Sequence, residues 1–160
     1  MTTTAPPQSL CWSDPFDELA VGQRFTTDAR AVSQADIEAF AALTGDHHPQ
    51  HVDPAWAAKS PFGGTIAHGL LVISAAAGLV PFDPERVMAL RRVGDVVFKR
   101  PVKPGDEIRV EGAVETVRPA SDEAGLVTLA WRVVDGQGKL VCKATVDVLW
   151  RRDTFVPIPL

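Results

Sequence analysis

The residues best able to do chemistry in this chain lie together. Gly45-Asp46-His47-His48-Pro49-Gln50-His51-Val52-Asp53-Pro54 holds three of the four histidines and two carboxylates. Asp46, His48, His51 and Asp53 are of types that ligate zinc or iron. A helical His47/His51 pair, however, has Pro49 inside it, which removes a backbone donor and restricts the residue before it. Only His68 remains to complete a histidine-rich shell, so no metal is expected. A second reading is a polar loop. Asp53-Pro54 suits a helix N-cap followed by proline at the first helical position, and His47 reads as exposed. The third is acid/base work. Pro49 forces a turn between Asp46 and His51, so their side chains can converge on one small space. A carboxylate beside an imidazole can hold and deprotonate a water, because histidine titrates near working pH. A helix start at His68-Gly69 would offer free backbone N–H groups to a developing oxyanion. Gly69 would let a substrate approach that backbone with no Cβ in the way. Base, proton carrier and electrophilic clamp suit proton chemistry beside a carbonyl. On the residues alone, the polar loop and the acid/base site both stand.

These groups need elements to hold them. Ser33-Gln34-Ala35-Asp36 matches a capping box. Ile37, Phe40, Ala41 and Thr44 follow at helical spacing, with Gly45 as the stop. Residues 33–44 are therefore predicted as an amphipathic helix ending at the motif. Residues 54–59 suit one or two helical turns and 60–65 a loop. Residues 68–80 have almost no polar face, which predicts a helix buried on nearly every side. Earlier, 17–24 read as a turn and 25–32 as a first strand. The second half changes period. Ile108, Val110, Gly112 and Val114 alternate with Glu107, Arg109, Glu111 and Glu115. Residues 125–134 and 139–150 are rich in Val, Leu, Thr and Trp, joined by the hairpin signal Asp135-Gly136-Gln137-Gly138. Residues 87–101 hold another strand, closed by a turn at Lys103-Pro104-Gly105-Asp106. The predicted class is α+β: a long antiparallel sheet wrapped around a central apolar helix.

Composition narrows the rest. The 160 residues fit one domain. Residues 1–14, rich in Thr, Pro and Ser, are predicted as a flexible arm, and 15–160 as a single domain. A net charge of −4 gives no reason to expect nucleic acid or an anionic membrane as partner. The doublets Arg91-Arg92, Lys99-Arg100 and Arg151-Arg152 read as solvated surface; Lys99-Arg100 has a second reading as a contact to an anionic group of a ligand. Cys11 and Cys142 lack the spacing of a zinc site or disulfide framework. The N-terminus has no secretory pattern, and the most apolar stretch, 69–80, is too short to span a bilayer. A cytoplasmic protein is expected.

Three segments also resemble a known family. FAALTGDHHPQHVDPAWAA (residues 40–58), IAHGLL (66–71) and FKRPVKPGD (98–106) are similar, in order and spacing, to the MaoC-like dehydratases, which include the (R)-specific enoyl-CoA hydratases. The resemblance runs from about residue 16 to residue 150. It implies a hot-dog fold that forms a homodimer or a dimer of dimers, with active sites near the subunit interface. The implied reaction is reversible syn addition of water to a trans-2-enoyl thioester, giving the (R)-3-hydroxyacyl thioester. Asp46 and His51 fall on the family's catalytic aspartate and histidine, and Gly69 where a backbone N–H polarises the thioester carbonyl. The implied ligand is an acyl-CoA or acyl-carrier thioester, with no metal or redox cofactor; CoA is part of the substrate. His48 stands where the family has an asparagine that orders the catalytic loop, and Gln50 where it has an aliphatic residue. Ala77 stands where many (R)-hydratases have serine, with Ser74 one turn earlier. His68 reads as ordering the loop at the helix start. Two other functions fit the same fold: a hot-dog acyl thioesterase, and a non-catalytic thioester-binding subunit of a heteromeric dehydratase.

Overall fold

An apolar helix needs a cover, and the strands supply one. The computed structural model describes residues 8–153. Its elements are β1 (Arg24–Thr26), β2 (Arg30–Ala31), α1 (Gln34–Thr44), α2 (Pro49–Val52), α3 (Pro54–Ala57), α4 (Gly69–Leu79), β3 (Val87–Phe98), β4 (Glu107–Pro119), β5 (Ala124–Asp135) and β6 (Leu140–Arg151). The strands pair antiparallel in the order β1-β4-β5-β6-β3, and β2 also pairs with β4. Alternation along the strands turns Ile108, Val110, Leu129, Trp131, Val146, Val148 and Trp150 inward, where they form one core with Leu71, Val72, Ile73, Ala75 and Ala76 of α4. This is the expected hot-dog arrangement. Among the described residues, no helix is long and apolar enough to cross a membrane.

Three expectations change in detail. The strand predicted over 25–32 is two short pieces, because Thr27 replaces part of the ladder with its side chain. Its N–H donates to the Val110 carbonyl at 2.9 Å, and its hydroxyl accepts from the Val110 N–H at 3.0 Å. The predicted arm over 1–14 is also corrected where it can be followed. Residues 1–7 and 154–160 lie outside the described residues, but Leu10 is buried and its N–H donates to the Arg24 carbonyl at 2.8 Å. Trp12 stacks on Trp150 with ring centroids 5.6 Å apart and meets Phe25 and Phe82 edge-on. The Trp150 indole N–H donates to the Asp14 carbonyl at 2.8 Å. Two apolar anchors inside a Thr/Pro/Ser-rich stretch outweigh its composition.

The third change concerns α4. One curved sheet covers one side of a helix, and Leu70, Ser74 and Gly78, spaced four apart, remain exposed. The sheet also has an exposed edge: β3 is an edge strand whose Met88, Leu90, Val93, Val97 and Phe98 are all exposed, and Phe98 at its end reaches Gly69 at the start of α4. Its pairing with β6 shifts register between Val87 and Ala89, between Leu90 and Arg92, and between Gly94 and Val97.

Candidate active site

The loop after α1 is built by short-range hydrogen bonds. Ser33 and Asp36 close the predicted capping box: the Asp36 N–H donates to the Ser33 hydroxyl at 3.1 Å, and the Ser33 N–H to the Asp36 carboxylate at 2.8 Å. Gly45 ends α1 in the left-handed region at φ 79°, where a side chain would be strained. The chain then turns on Asp46, whose Oδ1 accepts the His48 N–H at 3.3 Å. His48 caps α2 in turn, its Nδ1 accepting the Gln50 N–H at 3.1 Å. Imidazole thus supplies an acceptor at the position where the family's asparagine was expected. Pro49 opens α2 at its first position rather than preventing it. His47 lies outside that helix and is exposed. Asp53 caps α3 as read, accepting the Trp56 N–H at 2.9 Å.

α2 delivers His51 to His68. The two rings stack with centroids 3.8 Å apart and planes tilted by 27°. His51 Nδ1 lies 2.7 Å from the Ile66 carbonyl oxygen. A carbonyl only accepts, so Nδ1 carries the proton and Nε2 is left with the lone pair of a base. His68 is 3% exposed, and its Nε2 donates to the Asp46 main-chain carbonyl at 2.9 Å. Its ring also packs on Phe40, which holds it against α1. His68 therefore touches both members of the Asp46/His51 pair, one through its backbone and one through its ring.

The donor-type atoms of Asp46, His51 and His68 lie within 4.8 Å of one another, so their fit to a metal ion matters. An imidazole ligates in its own ring plane, at roughly 2.0–2.1 Å for zinc. His51 and His68 instead lie face to face, with ring centroids 3.8 Å apart and planes tilted by 27°. The arrangement suits stacking of the two rings.

Beside the pair opens a cleft of about 300 Å³, lined by His51, Phe62, Ile66, Gly69, Val72, Phe98, Lys99, Arg100 and Val102 among others. Gly69 is the first residue of α4, so its N–H has no partner within the helix, and among the described residues no other backbone acceptor takes it. The structure adds a second reason for glycine to the one read in the sequence. A Cβ at Gly69 would stand 2.6 Å from Phe98 Cζ, so the freed space holds an aromatic ring.

The matching profile identifies the setting. The family described as MaoC like domain matches residues 17–133, well over half the chain. The chain belongs to the MaoC-like domain family. Protein MaoC of Klebsiella aerogenes is 44% identical over 96 residues, 59% of this chain but only 29% of that protein. The (R)-specific enoyl-CoA hydratase of Aeromonas caviae is 34% identical over 122 residues, 76% of this chain and 88% of the hydratase. The solved structure of R-hydratase PhaJ1 from Pseudomonas aeruginosa matches with a TM-score of 0.71 at 31% identity, covering 91% of this chain and 94% of that one. The Aeromonas and Pseudomonas proteins are named as (R)-hydratases, and the shared fold is the hot dog.

Within this MaoC-like domain the structure brings Asp46, His51, His68 and Gly69 to one place, with His48 behind them as a cap. Ser74 does not stand in for the family's serine at the cleft: it sits on the exposed stripe of α4, its hydroxyl donating to the Leu70 carbonyl at 2.8 Å. Gln50 has more work than the sequence gave it. It is buried, its amide donates to the Gly64 carbonyl at 2.9 Å, and its own carbonyl accepts the Ile66 N–H at 3.2 Å. It ties residues 60–66, including the carbonyl that orients His51, to α2. Phe98 was likewise read only as part of a motif. Both act on partners many residues away, which no local spacing signals.

Proposed function

We propose that the protein interconverts trans-2-enoyl thioesters and (R)-3-hydroxyacyl thioesters, with CoA or an acyl carrier as the thiol. The observation that carries this reading is the His51 Nδ1 bond to Ile66, which leaves Nε2 as the base near the Asp46 carboxylate. A water donating one O–H to each is oriented by both. In hydration, one of the pair takes a proton as the water oxygen bonds to C3, and that proton then passes to C2 on the same face. The charge that builds on the thioester oxygen is met by the Gly69 N–H at the start of α4, where the helix dipole adds to the effect. Removing a proton donor or acceptor of this kind typically costs about 10²–10⁴-fold.

A second copy of the chain belongs to this reading. The exposed apolar residues of β3 and the Leu70–Ser74–Gly78 stripe form an edge and a helix face that a two-fold partner would cover, β3 against β3. Phe98 lies on that edge and in the cleft, so the partner would border the site.

The test is direct. Purified protein is given a trans-2-enoyl-CoA, and loss of the conjugated thioester absorbance is followed alongside thiol release from a saturated acyl-CoA. Absorbance loss without thiol release supports hydration. Thiol release without hydration makes the protein a thioesterase, and activity only with a co-purifying chain makes it a subunit of a heteromer.

A further inference from the structure

The hydratase reading gives Phe98 no chemical role, although its ring lies against the residue that carries the carbonyl donor. It ends β3, is 48% exposed and lines the cleft with His51, Gly69 and Val72. Its Cζ, Cε2 and Cε1 would lie 2.6, 2.8 and 2.9 Å from a Cβ on Gly69, so the far edge of the ring rests against the Gly69 α-carbon. Gly69 is absent from the positive-φ positions; its lack of a side chain serves this contact and not a left-handed turn. The backbone beyond the ring is anchored separately, since the Lys99 and Arg100 N–H groups both donate to the Val141 carbonyl, at 2.7 and 3.1 Å. Shortening the Phe98 side chain therefore opens space without freeing the strand end.

We propose that Phe98 is a specificity-determining residue whose ring closes the cleft beside C2 of the bound enoyl thioester and excludes substrates branched at that carbon. This rests on the hydratase reading. A thioester oxygen accepting from the Gly69 N–H lies roughly 3 Å from the nitrogen, with its carbonyl carbon about 1.2 Å further on and C2 one bond beyond. Carbon atoms in contact need about 3.5–4.0 Å between centres. A flat, unbranched C2–C3 unit runs past the ring, whereas a methyl on C2 needs space the ring already fills. Gly69 and Phe98 are thus one device: the glycine admits the ring, and the ring sets the width at the carbonyl.

The experiment compares kcat/KM for an unbranched four-carbon trans-2-enoyl-CoA and its 2-methyl analogue, in wild type, Phe98→Ala and Phe98→Leu. The wild type should favour the unbranched substrate, and Phe98→Ala should move the ratio toward the branched one by about tenfold or more, the scale of one methyl in a fitted pocket. Phe98→Leu, a milder change, carries the test if the alanine variant does not fold. Gly69→Ala should lose activity through collision with the ring, and Phe98→Ala in the same chain should restore part of it. An unchanged substrate ratio in folded variants overturns the proposal, as does a double variant no better than Gly69→Ala. Absence of hydration by the wild type on both substrates overturns the hydratase reading itself, and the proposal with it.

Discussion

The two ends of α4 are finished in opposite ways. At its N-terminal end, His68 and His51 are held by bonds from imidazole to main-chain carbonyls, and the cleft stands open beside them. Just beyond its C-terminal end, Phe82 packs with Trp12 and Trp131, and Trp12 continues the cluster to Phe25 and Trp150. One end sets polar groups beside an open cleft; the other is a cluster of aromatic rings. Chemistry and stability are thereby separated along a single helix, and mutation should be able to take one without the other.

The largest effect is expected at the polar end. Asp46→Asn and His51→Ala should each lower enoyl-CoA turnover by about 10²–10⁴-fold while the thermal midpoint moves little; a matching fall in stability would break the separation. At the other end, Trp150→Ala should cost about 3–5 kcal/mol in urea unfolding, with turnover per folded molecule retained. Gln50→Leu sharpens the contrast, because it is a buried residue that serves the polar end. Losing its bond to Gly64 should cost about 1 kcal/mol and raise KM more than it lowers kcat, since the loop carrying Phe62 and Ile66 loosens.

The smallest effect lies at the cap of α1. Ser33→Ala should cost about 1 kcal/mol, and it should also change the acid limb of stability. The Ser33 backbone N–H, then its hydroxyl, then Arg30 hold the Asp36 carboxyl below its ordinary value of 3.8, against a weaker opposing effect of burial. A depressed folded value favours the native state above the unfolded value, and that contribution is lost as pH falls below 3.8 toward the folded one. Chemical unfolding followed across that acid range should show a shallower loss in Ser33→Ala than in the wild type.

What could be read from the sequence was what local chemistry decides. Ser33 and Asp36 announce their own capping box, Gly45 its stop, Asp53 its cap, and the alternation after Glu107 its strand. The pairing of Asp46 with His51 follows from a turn only a few residues long. Missed features depend on distant partners. Leu10 and Trp12 are anchored by Arg24, Phe82 and Trp150, none of which marks them in the local sequence. Gln50 is informative only once Gly64 and Ile66 lie beside it. A second demand on Gly69 was hidden for the same reason: the ring that occupies the place of its missing side chain comes from β3.

The register shifts of β3 have a consequence for solubility. An exposed apolar edge invites any extended segment to add to it, and ordered aggregates favour flat runs of about six or seven residues. Here the longest regularly paired run is Arg92, Val93 and Gly94. These interruptions leave only short straight runs for a foreign strand to pair with, so the edge favours a partner surface shaped to them over unspecific strand addition.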